Sequence, residues 1–283
     1  MISINGLNKF REFFAEYDSN YVLIGGTACA IIFNEIGESF RATKDLDIVL
    51  VVENINDEFG RKLWDFIKNA GYDVEFGREK KSFYRFKNPK NNDFPKMIEL
   101  FSRNQKVSLP EGIHLIPIHV SDEISSLSAI LLNDDYYQLM IRGKRVIDGI
   151  SVLDEKYLIL FKAKAWCELV ERRKKGEEGQ SRNIKKHCKD IADLVGLLRP
   201  DERIEVSGMV KIDMQTFVDD ILTSEFVPGN VDGLELFRVA EYMRGNKFDS
   251  PEVAALSMEA LKFVSDLDTL NNNMLEKSLK MDV

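Results

Sequence analysis

The sequence predicts an α+β protein in which a mixed-sheet domain is followed by a helical C-terminal domain. Up to about residue 150, short apolar runs typical of strands alternate with segments of helical periodicity. Glycine and proline separate these segments, as they do at turns. Beyond residue 150 the apolar residues recur at helical spacing over long stretches. We therefore predict two domains, 1–150 and 151–283.

The elements of the first domain follow from hydrophobic periodicity and from turn residues. Helices are predicted over 5–17, from Thr27 to about Ile36, and over 57–69 with Gly71 as the stop. Strands are predicted at Tyr21–Ile24, 45–52, 82–87, 96–101, 113–119 and Tyr136–Ile141.

The second domain is predicted to consist of helices. Asp154 is a suitable N-cap for a helix that runs to about Lys174, and a polar, glycine-bearing loop follows it. A second helix over 183–198 ends before Pro200. Further helices are predicted at 213–224, 232–243 and 251–268, with a frayed tail from Asn271.

Composition excludes several classes of protein. The chain of 283 residues is 44% apolar and 30% charged, which is typical of a globular protein with a sizeable core. It has no apolar run of about 18 residues and no basic-then-apolar N-terminal region, so we expect no membrane span, no export and a cytoplasmic location. Cys29, Cys167 and Cys188 lack paired spacing, which favours reduced thiols, and the histidine spacing disfavours zinc.

Charge is unevenly distributed along this chain, whose net charge is −8. Between Lys156 and Lys189 eleven basic and four acidic residues give a local charge of about +7. Such a basic zone can hold an anionic substrate. A pair of solvated helix ends flanking a loop is the alternative, and for the Arg172–Lys175 run taken alone it is the favoured one.

The strongest functional signal is the strand that begins with Asp45 and Asp47 and continues as an apolar, β-branched run. Because side chains alternate across a strand, both carboxylates point to the same side. Two carboxylates at the start of a buried strand repel each other unless a cation lies between them. Mg²⁺ prefers such oxygen ligands and binds together with substrate phosphates. A polar strand end, or a turn cap, is the alternative.

Two further features fit the same chemistry. Gly25-Gly26-Thr27 joins a strand to a helix, where free amides and the Thr27 hydroxyl could bind phosphate, although a tight turn needs glycine anyway. Glu99 interrupts an apolar strand pattern, and a buried glutamate is costly unless it is paired or bound to a metal. An exposed edge strand would be the other explanation for Glu99.

These residues, in this order, resemble the nucleotidyltransferase superfamily with the polymerase-β-like fold. Gly25-Gly26-Thr-Ala and Arg41-x-Thr-x-Asp45-x-Asp47 look most like the AbiEii-type nucleotidyltransferases. In the second half, Phe161-Lys162-Ala163-Lys164-Ala165-Trp166 and Lys189-Asp190-Ile191-Ala192-Asp193 are similar to the lysine and Lys-Asp-x-x-Asp motifs of that type.

Helical geometry distinguishes the residues of the second motif. Lys162 shares a face with Leu158, Trp166 and other apolar residues, so it is the candidate for contacting nucleotide phosphates, or else a lysine that extends to solvent. Asp190 could orient Lys162 or Lys189 by ion pairing, or contact the nucleotide base or metal. Ordinary charge pairing along the helix is the competing account.

The resemblance implies an enzyme that moves a nucleoside monophosphate from a triphosphate to an acceptor and releases pyrophosphate. Asp45, Asp47 and Glu99 would hold two Mg²⁺ ions and carry catalysis. The nucleotide-binding residues would be Gly25, Gly26, Thr27, Arg41, Lys162 and Asp190, with the helical domain completing the nucleotide site. It also implies a toxin of a toxin–antitoxin or phage-defence system, an RNA (tRNA) end or a protein hydroxyl as acceptor, and an antitoxin partner.

Two rival functions stay open at this point. A small cationic acceptor such as an aminoglycoside would keep the chemistry, and an acidic cleft would favour it over RNA. A nucleotide-binding protein without turnover is the other, and the set of Asp45, Asp47 and Glu99 argues against it.

Overall fold

The computed structural model describes residues 4–54, 56–75, 84–102, 107–108, 114–115, 130, 133–198, 204, 206 and 208–221. They form an α+β protein with a mixed sheet. The helices are α1 Leu7–Phe14, α2 Gly25–Glu35, α3 Asp57–Ala70, α4 Asp134–Arg142, α5 Glu155–Lys174, α6 Ser181–Val195 and α7 Gly208–Ile221. The strands are β1 Tyr21–Ile24, β2 Asp45–Leu50, β3 Asp73–Glu75, β4 Tyr84–Lys87, β5 Met97–Ser102, β6 Val107–Ser108, β7 His114–Leu115, β8 Lys144–Ile147 and β9 Ile150–Leu153.

The chain divides into two compact units, 1–161 and 162–283, with the division in α5. The predicted domains 1–150 and 151–283 stay a prediction. In the first unit the described strands form a seven-stranded sheet in the order β3-β4-β5-β2-β1-β9-β8, and β6 and β7 form a separate pair. The central strand β2 is antiparallel to β1 and parallel to β5. Because β2 and β5 both have neighbours on either side, neither is an edge strand.

An aromatic cluster between α1, α3 and the sheet forms much of the first unit's core. Phe10 packs edge-on against Tyr21 and Phe66, and Phe66 also contacts Phe94. All four side chains are buried. Each large ring removes much apolar area from water, and edge-to-face packing adds about 0.5–1.5 kcal/mol per pair. This core supports the sheet on which Asp45 and Asp47 lie.

Helix α3 begins and ends as the sequence predicts. The Asn56 side chain caps its start by accepting a hydrogen bond from the Phe59 amide, and Asp57 and Glu58 favour the first turn. Gly71 ends it in the left-handed region at φ 64°, where its amide bonds to the carbonyl of Ile67.

The prediction of a strand at Tyr136–Ile141 is wrong, because these residues belong to α4. Asn133 caps this helix by accepting hydrogen bonds from the amides of Asp135 and Tyr136. The buried residues then recur at helical spacing, as Tyr136, Tyr137, Leu139 and Met140. The apolar run looked like a strand, but the Asn-Asp-Asp cap before it favours a helix.

The hairpin of β8 and β9 was not predicted from the sequence. Its turn is Asp148-Gly149, with φ of 50° and 75°, which matches the positive angles of the tightest hairpin turns. Arg145 of this hairpin donates hydrogen bonds to Glu35 and Glu155, and its Nε lies 3.3 Å from a carboxylate oxygen of Asp154. The hairpin therefore ties the end of α2 to the start of α5.

The second unit is helical over its described residues. α6 and α7 lie close to the predicted spans of 183–198 and 213–224, shifted by a few residues toward the N-terminus. Trp166 of α5 packs edge-on against Phe217 of α7, with ring centroids 5.3 Å apart. The predicted helices 232–243 and 251–268 and the tail from Asn271 lie outside the described residues.

Candidate functional site

The carboxylates of Asp45 and Asp47 share one face of β2. Both side chains are half-buried, whereas Leu46 and Ile48 between and after them are buried on the opposite face. This alternation is the one predicted from the strand pattern. β2 is central in the sheet, so its residues at this face have neighbours from β1 on one side and β5 on the other.

Glu99 lies beside this pair because β5 runs parallel to β2. The register places Asp47 opposite Glu99 and Asp45 opposite Met97. Glu99 is half-buried between the buried residues Ile98 and Leu100, so it too faces the side of the aspartates. The edge-strand explanation for Glu99 does not apply, because β5 lies between β4 and β2.

The glycine pair packs directly against the aspartate strand. β1 is paired with β2 so that Ile24 faces Asp47, and α2 begins at the next residue. A Cβ atom on Gly25 would collide with the Oδ2 atom of Asp47, and Gly25 has a φ of 70°. Both the close approach and the left-handed backbone require glycine here. The start of α2 and the carboxylate of Asp47 are therefore in contact.

Gly26 has its own neighbours in the segment that leads into β2. A Cβ atom on Gly26 would lie 2.9 Å from Oγ1 of Thr43 and 3.3 Å from Nη2 of Arg41. The Arg41 guanidinium lies over the Phe40 ring at 5.1 Å, so its position is restrained from a second side. Arg41, Thr43 and Gly26 thus lie together at the start of α2, where helix amides attract anions.

Thr27 has a structural role that the sequence analysis did not assign to it. Its side chain is fully buried, and its hydroxyl donates a 2.6 Å hydrogen bond to the main-chain carbonyl of Asp45. A hydroxyl has a single hydrogen, so it cannot donate to a phosphate at the same time. The predicted phosphate contact would require the Thr27 hydroxyl to exchange this partner, and it stays a prediction. In the structure Thr27 fastens α2 to β2.

Arg85 is a further member of this group, and the sequence analysis missed it. It lies on β4 opposite Glu99, and its Nε donates a 2.6 Å hydrogen bond to Oε1 of Glu99. The alternating Tyr84-Arg85-Phe86 pattern could have placed Arg85 on one face of a strand. Nothing in the sequence indicated that this strand lies beside β5.

The convergence of Asp45, Asp47 and Glu99 at a metal site stays a prediction. Within the part of the chain that the structure describes, no three histidine, cysteine, aspartate or glutamate side chains are grouped to hold a metal ion. Glu99 bonds to Arg85, and Asp45 is opposite Met97. Asp47 and Glu99 still offer adjacent hard oxygen donors, with Asp45 on the same face, and this donor set fits Mg²⁺ with substrate phosphates as further ligands.

Lys162 and Asp190 form a buried ion pair within the helical unit. The two side chains are separated by 2.7 Å, and the residues are 4% and 0% exposed. This is the ion pairing that the sequence analysis gave as one role for Asp190. The predicted contact of Lys162 with nucleotide phosphates would require its ammonium to exchange this partner, and it stays a prediction.

Other charges of the helical unit are also paired. Lys164 bonds to Asp213 at 2.8 Å and lies 3.5 Å from Glu168. Burial is the largest single influence on the pKa of Lys164 and lowers it, but the hydrogen bonds and charges of Asp213 and Glu168 together outweigh burial, so the pKa is raised. Burial raises the pKa of Glu168 to about 7, although Lys164 acts in the opposite direction. These contacts join α5 to α7.

A row of basic side chains lies on the outer face of α6. Arg182, Lys185, Lys186 and Lys189 are exposed at helical spacing, and Lys189 forms a 3.1 Å pair with Asp193 one turn further on. The only described acid of α6 besides Asp193 is the buried Asp190. The basic zone predicted from the sequence thus includes one continuous helix face.

Among the helices that the structure describes, none combines the length and apolar character needed to cross a membrane.

In comparisons with known proteins, no family model, no curated protein and no solved structure matched the chain. The function must therefore be argued from the geometry of the site.

Proposed function

We propose that the chain is a Mg²⁺-dependent nucleotidyltransferase with a polymerase-β-like first unit, similar to the AbiEii type. The observation that carries this proposal is the contact at the start of α2. Gly25 leaves room for the carboxylate of Asp47, and Asp47 is opposite Glu99 on the neighbouring strand. A helix start beside paired carboxylates suits a triphosphate with its metal ions, because amides bind phosphate and carboxylates bind the metal.

In this proposal each residue has a defined task. Asp45 and Asp47 hold the metal, and the amides at the start of α2 bind the triphosphate. Arg41, which lies beside Gly26, neutralises phosphate charge. Glu99 completes the metal site and accepts the proton of the attacking hydroxyl. Bound Mg²⁺ ions would polarise the transferred phosphoryl group and stabilise the leaving pyrophosphate.

The basic face of α6 supports an RNA acceptor over a cationic small molecule. Four exposed basic residues on one helix attract a phosphate backbone and repel an aminoglycoside. An RNA end, a protein hydroxyl, an antitoxin partner and a cytoplasmic toxin function belong to the proposal through the resemblance of the motifs.

A transfer assay tests the proposal. The full-length protein is incubated with Mg²⁺ and each of the four α-³²P-labelled nucleoside triphosphates, in the presence of total RNA, an aminoglycoside mixture or no added acceptor. We expect label on RNA or on the protein, and a loss of at least 100-fold in Asp47→Asn. Asp65→Asn is the matched control, because Asp65 is an exposed acid on α3. Absence of labelling with every triphosphate, while nucleotide still binds, would contradict transferase function.

A nucleotide-binding protein without turnover is the second candidate. The observation that favours it is the bond between Glu99 and Arg85, which occupies one oxygen of the third carboxylate. In that case equilibrium dialysis would detect Asp47-dependent triphosphate binding, and the transfer assay would stay negative.

A further inference from the structure

Arg85 makes the closest described contact to the third carboxylate of the candidate site. Its Nε lies 2.6 Å from Oε1 of Glu99, and the two side chains are 20% and 13% exposed. A charge-assisted hydrogen bond in such a partly dehydrated setting is strong and well oriented. The bond therefore fixes the direction in which the Glu99 carboxylate points.

The sheet places Arg85 within a row of charged residues. Asp47, Glu99 and Arg85 occupy facing register positions on β2, β5 and β4, so they lie side by side on one face. Glu99 has a carboxylate neighbour on one side and a guanidinium on the other. Adjacent carboxylates repel each other, and a nearby cation relieves this repulsion. A guanidinium and a divalent cation can each supply that charge.

We propose that Arg85 is a positioning residue that holds Glu99 in the metal-free protein and competes with the divalent cation for this carboxylate. This inference rests on the proposed function, because it takes Asp45, Asp47 and Glu99 as the metal-binding residues. Metal binding at Oε1 of Glu99, or by both of its carboxylate oxygens, then requires the Arg85 bond to break. The positive charge of Arg85 also repels an incoming cation at short range. Arg85 consequently lowers the affinity for metal.

Manganese binding to the full-length protein tests this proposal without any measurement of catalysis. The signal of free Mn²⁺ in electron paramagnetic resonance gives the dissociation constant at fixed ionic strength, in the absence of nucleotide. We expect Arg85→Gln to bind Mn²⁺ about three- to tenfold more tightly than the wild type, because the competing bond and charge are gone. Arg85→Lys keeps the charge, so its affinity for Mn²⁺ should lie between those of the wild type and Arg85→Gln.

Two control variants make the result specific to the Glu99 contact. Arg61→Gln removes the same charge from an exposed position on α3 and should change the Mn²⁺ affinity less than twofold. Glu99→Gln should weaken Mn²⁺ binding. In this Glu99→Gln background, Arg85→Gln should raise the Mn²⁺ affinity much less than it does in the wild type. Circular dichroism checks that each variant is folded.

The possible failures are distinguishable. If Mn²⁺ binding depends on Asp47 but Arg85→Gln leaves it unchanged or weaker, the role of Arg85 is refuted and the metal site stands. If neither the wild type nor Arg85→Gln binds Mn²⁺, or if binding persists unchanged in Asp47→Asn, the metal site itself is refuted together with the Arg85 proposal.

Discussion

The charged groups of the sheet and those of the helical unit are arranged in opposite ways. On the sheet, Asp45, Asp47 and Glu99 are half-buried on one face, and the start of α2 lies against Asp47. In the helical unit, Lys162 and Asp190 are buried and bonded to each other. The sheet thus carries three carboxylates on one face with Arg85 beside Glu99, whereas the helical unit buries a pair of opposite charges.

This difference indicates which region is built to bind a ligand. Neighbouring carboxylates repel each other unless a positive charge lies near them, and Arg85 supplies such a charge to Glu99. A buried pair of opposite charges needs no further partner and orients the helices that carry it. We therefore propose that metal and nucleotide bind at the sheet, and that the Lys162–Asp190 pair has a structural role in the metal-free protein.

The largest expected effect comes from breaking the buried pair. Asp190→Ala leaves the Lys162 ammonium buried without this carboxylate, which should lower the free energy of unfolding by about 3–5 kcal/mol. Urea unfolding followed by the fluorescence of Trp166, in a Trp64→Phe background, reports on the helical unit. The double substitution Lys162→Met with Asp190→Leu should recover most of the loss. A loss below about 1 kcal/mol for Asp190→Ala would contradict a structural role for the pair.

The next effect is expected at Gly25. Gly25→Ala forces a left-handed backbone on alanine, at about 1–2 kcal/mol, and also displaces the carboxylate of Asp47. Nucleotide transfer should fall at least 100-fold. Gly37→Ala is the matched control, because Gly37 has a similar φ of 78° but nothing within 4 Å of the added methyl group. Gly37→Ala should lose about 1–2 kcal/mol of stability and keep normal nucleotide transfer. Equal activity in both variants would refute the role of the Gly25–Asp47 contact.

A smaller effect is expected at Thr27. Thr27→Val removes the hydrogen bond to the Asp45 carbonyl and should cost about 1–2 kcal/mol of stability, while preserving most of the shape. The dissociation constant for a nucleoside triphosphate, measured by equilibrium dialysis, should change less than threefold. A loss of tenfold or more in affinity without destabilisation would identify the hydroxyl as a phosphate ligand.

A further effect concerns the pH dependence of the helical unit. Because burial raises the pKa of Glu168 from 4.5 to about 7, the folded state holds a proton that the unfolded state has lost across this window. The contribution of Glu168 to stability therefore decreases as pH rises from about 4.5 to 7. Urea unfolding at several pH values should show a less negative slope in Glu168→Gln than in the wild type. Identical slopes would contradict the raised pKa.

The sequence predicts the local elements of the sheet site well. Tyr21–Ile24 is observed as predicted, and the apolar run after Asp45 forms β2 at the centre of the sheet. These predictions succeed because strand alternation and glycine breaks are local signals. The pairing of Asp47 with Glu99 is a non-local consequence of parallel register, and only their chain order hinted at it.

Other features could not be predicted because they depend on competing local signals or on distant parts of the chain. The run at Tyr136–Ile141 fits a strand or a helix, and the Asn133 cap decides for the helix. Arg85 acquires its role only when β4 pairs with β5, more than ten residues further along the chain. The partner of Lys162 also comes from a different helix. Sequence periodicity indicates which residues share a face of a helix or strand, but it does not indicate which of these faces pack together.

The most direct test of the central claim is a crystal structure with Mn²⁺ and a non-hydrolysable nucleoside triphosphate. The account predicts an anomalous Mn²⁺ peak about 2.0–2.3 Å from a carboxylate oxygen of Asp47, with the triphosphate at the start of α2. It also predicts that Glu99 has left Arg85 for the metal. A triphosphate and metal bound away from Gly25, Gly26 and Asp47 would contradict the assignment of this site.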